Sequence, residues 1–157
     1  MTQTKQNKKT IDIIEFTKIL TVLLGLVTLA ADVFSKVIAE YCVYYVIGEN
    51  SSTKVYMLMA VIYFASIAAY ALLIFLFMLL NNLGKGKVFV KDNVKYLKAV
   101  GIGLLAITLV AALGAILVNS SIFLIGFIML FVALIVFCVQ LVIEKAIEMK
   151  DELDYTV

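Results

Sequence analysis

Four amino-acid types are missing from this sequence of 157 residues: histidine, tryptophan, proline and arginine. Without histidine, the chain has no haem site with the usual histidine ligand, no histidine-containing zinc site and no Ser-His-Asp triad. Cysteine is scarce, with only Cys42 and Cys138, which are too few for a four-thiolate metal centre. We therefore expect no metal and no cofactor, and we predict that the protein is not an enzyme, because no nucleophile, base and orienting residue occur together.

Charge is also sparse, since charged residues make up 15% of the chain and hydrophobic residues 64%. The mean hydropathy is +1.11. A soluble domain is about half apolar and about a quarter charged, and one of this size leaves too much surface in water to hide the excess. The composition excludes an ordinary soluble domain and direct binding of nucleic acid. It predicts an integral membrane protein, with the lipid bilayer as its principal surrounding.

Four apolar segments are long enough to cross a bilayer core of about 30 Å, which takes about 20 helical residues. They cover residues 13–38, 55–80, 100–118 and 122–143. The prediction is a single all-α domain over residues 1–157, a bundle of four transmembrane helices. A loop at 81–99 and a tail at 144–157 complete it, and a short extracytoplasmic helix extends the first span. The third span is rich in glycine and alanine, which predicts a central helix, because small residues let helices pack closely in lipid.

The thirteen lysines orient the bundle. Eleven lie on one side of the predicted membrane, and Lys36 and Lys54 lie on the other. The positive-inside rule places the eleven-lysine side, with both termini and the loop 81–99, in the cytoplasm. We therefore predict a multi-pass protein of the bacterial cytoplasmic membrane. Cys42 and Cys138 then lie on opposite sides and cannot form a disulfide.

Asp32 is the only carboxylate well inside a predicted span, and such groups are functional candidates by default. Asp32, Lys36 and Glu40 are four residues apart and share a helix face. We interpret them as a ladder of ion pairs at the outer membrane boundary. The alternative is a role of Asp32 in coupling a proton or cation to transport.

Tyrosines repeat in the second span, where Tyr56, Tyr63, Tyr70 and Phe77 are seven residues apart and fall on one face. The hydroxyls of Tyr63 and Tyr70 lie deep in the bilayer and need hydrogen-bond partners. The spacing fits either a packing seam or one wall of a ligand groove, and it does not separate the two.

The loop and the tail carry the remaining candidates. Lys91, Lys95 and Lys98 form a basic stripe, while the tail turns acidic near its end. Anionic lipid headgroups are the first explanation of the lysines. The tail acids either pair with the basic loop or present an acidic surface to a soluble partner. Because acids at a helix C-terminus oppose the helix dipole, they are not there to stabilise the helix.

Two segments resemble motifs of a known family. The first runs from Gly86 through Phe89 and Asn93 to Lys98 and Gly101, and the second runs from Ala146 to Val157. They are similar to the loop and closing motifs of a domain-of-unknown-function family of small four-span bacterial membrane proteins. Tyr155 replaces the usual leucine of the closing motif, and Lys98 replaces a common arginine. Genes of that family are often found beside one for a small Cro-like helix-turn-helix regulator.

That resemblance implies a non-enzymatic membrane regulator that binds a soluble helix-turn-helix transcription factor at its cytoplasmic face. The candidate contact residues are Phe89, Asn93, Lys95, Lys98, Glu148, Glu152 and Asp154, and the candidate intramembrane polar residues are Asp32, Lys36, Tyr63 and Tyr70. Two alternatives stay open at this point: a small transporter or efflux protein that uses Asp32, and an immunity protein against a membrane-active peptide. Self-association into a homo-oligomer also stays open.

Overall fold

The chain is helical along nearly its whole length. A computed structural model describes residues 2–155, with side chains for residues 11–153. The elements are α1 (Thr2–Val33), α2 (Ser35–Tyr41), a π-helical segment (Cys42–Val46), α3 (Ser52–Gly84), α4 (Lys91–Leu117) and α5 (Ile122–Tyr155). Of the described helices, α1, α3, α4 and α5 are long and apolar enough to cross a membrane. The predicted all-α fold with four such helices is confirmed.

The first crossing is longer than its hydropathy indicates. α1 and α2 are separated only at Phe34, whose φ of −94° and ψ of 14° depart from helical values. Backbone hydrogen bonds continue through this joint, from Phe34 N to Ala30 O and from Ile38 N to Phe34 O, each 3.0 Å long. The helical path therefore runs on to Val46, which agrees with the predicted helical extension of the first span. A short connection follows, in which Gly48 turns the chain with a φ of +77°.

α1 and α2 run antiparallel along α3. Their contacts step in opposite directions along the two chains: Ile14 lies beside Gly84, Gly25 beside Leu73, and Ser35 beside Tyr63. Beyond the joint, Ala39 and Val43 are fully buried in a cluster with Val55, Leu58 and Val118. This register against α3 determines how far each polar residue of the first crossing lies from the ends of α3.

α4 is the central helix, as its small residues predict. It packs on α3 and on α5, while α1 contacts mainly α3, so the helices follow the order α1, α3, α4, α5. Gly101 gives room for the Phe137 ring, since a Cβ at Gly101 would lie 2.7 Å from that ring. Gly103 lies similarly close to Leu72, and Gly114 to Val61. Close approach on both sides explains why glycine occurs repeatedly in this helix.

The antiparallel topology brings one set of helix ends together. The start of α4 reaches the end of α5 through an ion pair of 3.4 Å between Lys91 Nζ and Asp151 Oδ2. Lys18 of α1 packs against Gly84 at the end of α3. We call this side of the molecule, including the loop 85–90, the lysine-rich face.

Candidate functional site

Asn93 holds the loop of the lysine-rich face in one conformation. Its Nδ2 group donates hydrogen bonds to the carbonyl oxygens of Lys87 and Val88, at 2.7 and 2.8 Å. Its Oδ1 atom accepts a hydrogen bond of 2.9 Å from Asn82 Nδ2. Asn93 is only 1% exposed. It therefore holds the loop from the interior of the protein and is not itself part of the accessible surface.

The loop presents an apolar tip. Val88 and Phe89 are 40% and 51% exposed, although the backbone beside them is tied to Asn93. Gly86 turns the chain here with a φ of +73°, a conformation that suits glycine. An exposed aromatic ring on a fastened loop is pre-organised for contact with another surface.

A groove of about 320 Å³ lies next to this loop, between the start of α4 and the end of α5. We call it the α4–α5 groove. Its lining combines two lysines, three acids and two aliphatic residues: Lys91, Lys95, Glu144, Glu148, Asp151, Val94 and Ile147. The basic residues all come from α4 and the acidic ones all come from α5. Such a groove offers apolar contact together with charges of both signs.

The acidic tail is partly paired with the basic segment, as one of the two interpretations predicts. Lys91 and Asp151 form the ion pair across the groove. Lys95 instead contacts Asp92 on its own helix, with Nζ 3.5 Å from Oδ1. Both pairs are well exposed, so each contributes less than about 1 kcal/mol to stability. A partner can therefore replace either pair at little cost.

The remaining candidates of the lysine-rich face are spread out. Lys98 and Glu152 are exposed and do not line the α4–α5 groove. The side chain of Asp154 lies outside the described residues. The groove and the loop tip, with Phe89, Lys95 and Glu148, are thus where the predicted contact residues come together.

The second site surrounds Asp32. Its two carboxylate oxygens accept hydrogen bonds from α3, at 2.6 Å from Ser66 Oγ and 2.9 Å from Tyr70 Oη. One turn further along the first crossing, Ser35 Oγ and Tyr63 Oη are hydrogen-bonded at 2.7 Å. Five hydroxyl and carboxyl groups thus tie the first crossing to α3, in a region where water is not available to satisfy them.

The interpretation of Asp32 as the start of an ion-pair ladder is wrong. Lys36 Nζ lies 3.9 Å from Glu40 Oε1, so these two residues do pair as expected. Asp32 takes part in none of the ion pairs among the described side chains. Helix spacing alone favours the ladder, but the hydroxyl groups of α3 lie on the Asp32 face and bind the carboxylate instead.

Asp32 also lies deeper than its position in the sequence indicates. Ser66 lies about 21 Å from the start of the 33-residue helix α3, and Tyr70 lies about 21 Å from its end, at 1.5 Å per residue. The contacts of Asp32 therefore place it near the middle of α3. Because the first crossing continues to Val46, a residue that seems close to the end of its span is in fact near mid-depth.

Tyr70 connects Asp32 to a second groove, which lies between α1 and α3 and has a volume of about 290 Å³. We call it the α1–α3 groove. Its lining is almost wholly apolar and includes Gly25 and Thr21 of α1 with Tyr70, Ile74 and Phe77 of α3. Tyr70 and Phe77 of the aromatic heptad thus line this groove, whereas the hydroxyl of Tyr63 is hydrogen-bonded to Ser35.

A family model matches residues 46–157, and its description is "Protein of unknown function (DUF2975)". The chain belongs to this family. The membership confirms the resemblance seen in the loop and closing motifs. No curated protein and no solved structure matches the chain.

The DUF2975 match covers the whole of the α4–α5 groove but only part of the site around Asp32. The loop, Phe89 and both walls of the α4–α5 groove lie within it. In the other site, Ser66 and Tyr70 lie within the match, but Asp32 precedes it. The α4–α5 groove is therefore built wholly from the part of the chain that the family model describes.

Sequence reasoning missed three residues of these sites: Ser66, Ser35 and Asn82. Ser66 lies three residues after Tyr63 and four before Tyr70, so a search for polar residues on the tyrosine face finds it. Ser35 gives no comparable signal, because its role depends on the joint at Phe34. Asn82 gives none either, since asparagines near a helix end, here the pair at positions 81 and 82, are normally read as a termination signal.

Proposed function

We propose that this protein is a non-enzymatic regulatory component of the bacterial cytoplasmic membrane. Its lysine-rich face points to the cytoplasm and binds a small soluble helix-turn-helix transcription regulator. The contact surface consists of the α4–α5 groove and the apolar loop tip at Phe89. Holding the regulator at the membrane keeps it from its operator.

The meeting of two separate motifs supports this proposal most strongly. Val94 and Lys95 come from the loop motif, whereas Ile147, Glu148 and Asp151 come from the closing motif, about fifty residues later. All five line the same groove. Family motifs that are remote in sequence and adjacent in space fit a shared contact surface.

The character of the surface also supports protein binding. Phe89 is a large apolar side chain at an exposed position, next to a groove with charges of both signs. Buried aromatic anchors surrounded by a polar rim supply most of the binding energy in protein interfaces. The charges around them set the specificity and the association rate.

The test is capture of the tagged, full-length protein from cross-linked native membranes, with mass spectrometry of the co-purified proteins. Phe89→Ala removes the anchor, and Glu148→Lys reverses one charge of the groove. Phe123→Ala is the matched control, because Phe123 is also exposed but lies at the opposite end of α5.

We expect a small DNA-binding protein to be enriched with the wild type and the control and to be lost with Phe89→Ala and Glu148→Lys. A reporter gene under that regulator should change its expression in the same two variants. Recovery of the protein without a DNA-binding partner contradicts the proposal, and so does a partner that both variants retain.

A further inference from the structure

Among the side chains that the structure describes, no lysine forms an ion pair with the carboxylate of Asp32. Both of its oxygens are held by neutral hydroxyl groups, those of Ser66 and Tyr70. The closest lysine in sequence, Lys36, pairs with Glu40. A carboxylate near mid-depth in a membrane is costly unless it pairs or neutralises, and such groups commonly mark a path or a site for a cation.

The α1–α3 groove reaches Tyr70, whose hydroxyl donates to this carboxylate, although Asp32 itself is not among the lining residues. Tyr70 belongs to both features, because its ring lines the groove and its hydroxyl donates to Asp32 Oδ2. From Tyr70 the groove follows α3 toward the lysine-rich face and reaches Phe77, one heptad further on. Its opposite wall is formed by α1 around Gly25.

The groove is open to the lipid. Phe77 is 41% exposed and Ile74 is 55% exposed, so neither side chain is covered by another helix over its whole surface. A hydrophobic molecule dissolved in the bilayer can therefore enter from the side. The two aromatic rings on one wall are the groups that attract a cation through their faces.

We propose that the α1–α3 groove binds a hydrophobic, monovalent organic cation. The aliphatic and aromatic walls contact the body of the ligand, and Asp32, held in place by Ser66 and Tyr70, supplies the opposite charge. Charge complementarity selects a cation over the lipid acyl chains that would otherwise fill an apolar groove. The site is independent of partner binding at the lysine-rich face.

The test uses full-length protein in lipid nanodiscs and two fluorescent dyes of aromatic character. Ethidium is the cationic probe and Nile red is the neutral one. Three variants are compared: Asp32→Asn removes the charge and leaves hydrogen-bonding groups for α3, Gly25→Leu fills the groove, and Tyr56→Phe is the matched control. Tyr56 is an exposed tyrosine of α3 that does not line the groove.

Wild type and Tyr56→Phe should bind ethidium with the same affinity, while Asp32→Asn and Gly25→Leu should each weaken it at least tenfold. Nile red should respond to Gly25→Leu and not to Asp32→Asn. Thermal melting of each variant verifies that the fold is kept. If Asp32→Asn does not fold, the effect of Gly25→Leu on ethidium binding is the test.

Equal affinity of the wild type and Asp32→Asn for ethidium overturns the proposal, because the charge is then not recognised. Ethidium binding that Gly25→Leu leaves unchanged overturns it as well, since the dye then binds elsewhere. Displacement of both dyes by neutral lipid alone, with no preference for the cation, identifies the groove as an acyl-chain contact only.

Discussion

The loop of the lysine-rich face depends on Asn93, and this dependence can be tested quantitatively. Asn93→Asp keeps the size of the side chain and an acceptor for Asn82, but it loses the two N–H groups that donate to the carbonyls of Lys87 and Val88. It also places a negative charge beside those carbonyl oxygens. We expect the loop to open while the four helices remain assembled.

The magnitude follows from the two lost hydrogen bonds. Each contributes about 0.5–1.5 kcal/mol net, and the new repulsion adds to the loss. A local cost of about 2–3 kcal/mol corresponds to a roughly 30- to 150-fold larger population of the open loop. When opening is fast relative to cleavage, the rate of proteolysis rises by the same factor.

The assay is limited trypsin digestion of the purified protein, with cleavage after each lysine followed by mass spectrometry. Lys85 and Lys87 are exposed within the loop and report on its opening. Lys150, which is exposed in α5, is the internal control and should be cut at the wild-type rate. Asn82→Ala, which removes one of the three hydrogen bonds of Asn93, should accelerate loop cleavage less than tenfold. Equal loop cleavage in Asn93→Asp and the wild type would refute the assignment of Asn93 as the residue that fastens the loop.

Four further predictions address the packing, the groove and the orientation. Gly101→Ala should lower the free energy of unfolding by about 1–3 kcal/mol, because the added methyl group would overpack against the ring of Phe137. Gly25→Ala, whose Cβ meets only an ordinary contact at 3.9 Å, should be neutral or slightly stabilising in the same thermal melts. Lys91→Ala should cost less than about 1 kcal/mol, since its pair with Asp151 is exposed, and a larger loss would show that the pair is structural. A cysteine that replaces Lys87 in a cysteine-free background should resist an impermeant thiol reagent in intact cells, and labelling there would reverse the predicted orientation.

Much of the fold could be predicted from the sequence because the relevant signals are local. Length and hydropathy identify a membrane-crossing helix without any reference to its neighbours. The glycines of α4 likewise predict a central position, since only a helix that is packed closely on two sides needs so many small residues. Opposite charges give pairing of loop and tail as one of two interpretations of the acidic tail, and the pair of Lys91 with Asp151 agrees with it.

The environment of Asp32 could not be predicted in the same way. Its depth depends on where the first crossing ends, and the sequence predicts a helical extension but not that this extension packs along α3 up to Val43. Its partners depend on the register between α1 and α3, which brings Ser66 and Tyr70 to the carboxylate. Helix spacing indicates only the neighbours on the same helix, and that is why it favoured Lys36.

The division between the two sources of information has one physical reason. The sequence by itself determined which segments enter the membrane and which end of each carries the lysines, because transfer of a helix into lipid depends on its own composition. Only the tertiary structure decided that Asn93 lies beneath the loop, that two remote motifs share the α4–α5 groove and that Asp32 faces hydroxyl groups of α3. These features depend on contacts between helices, and contacts are set by register and packing, which composition does not specify.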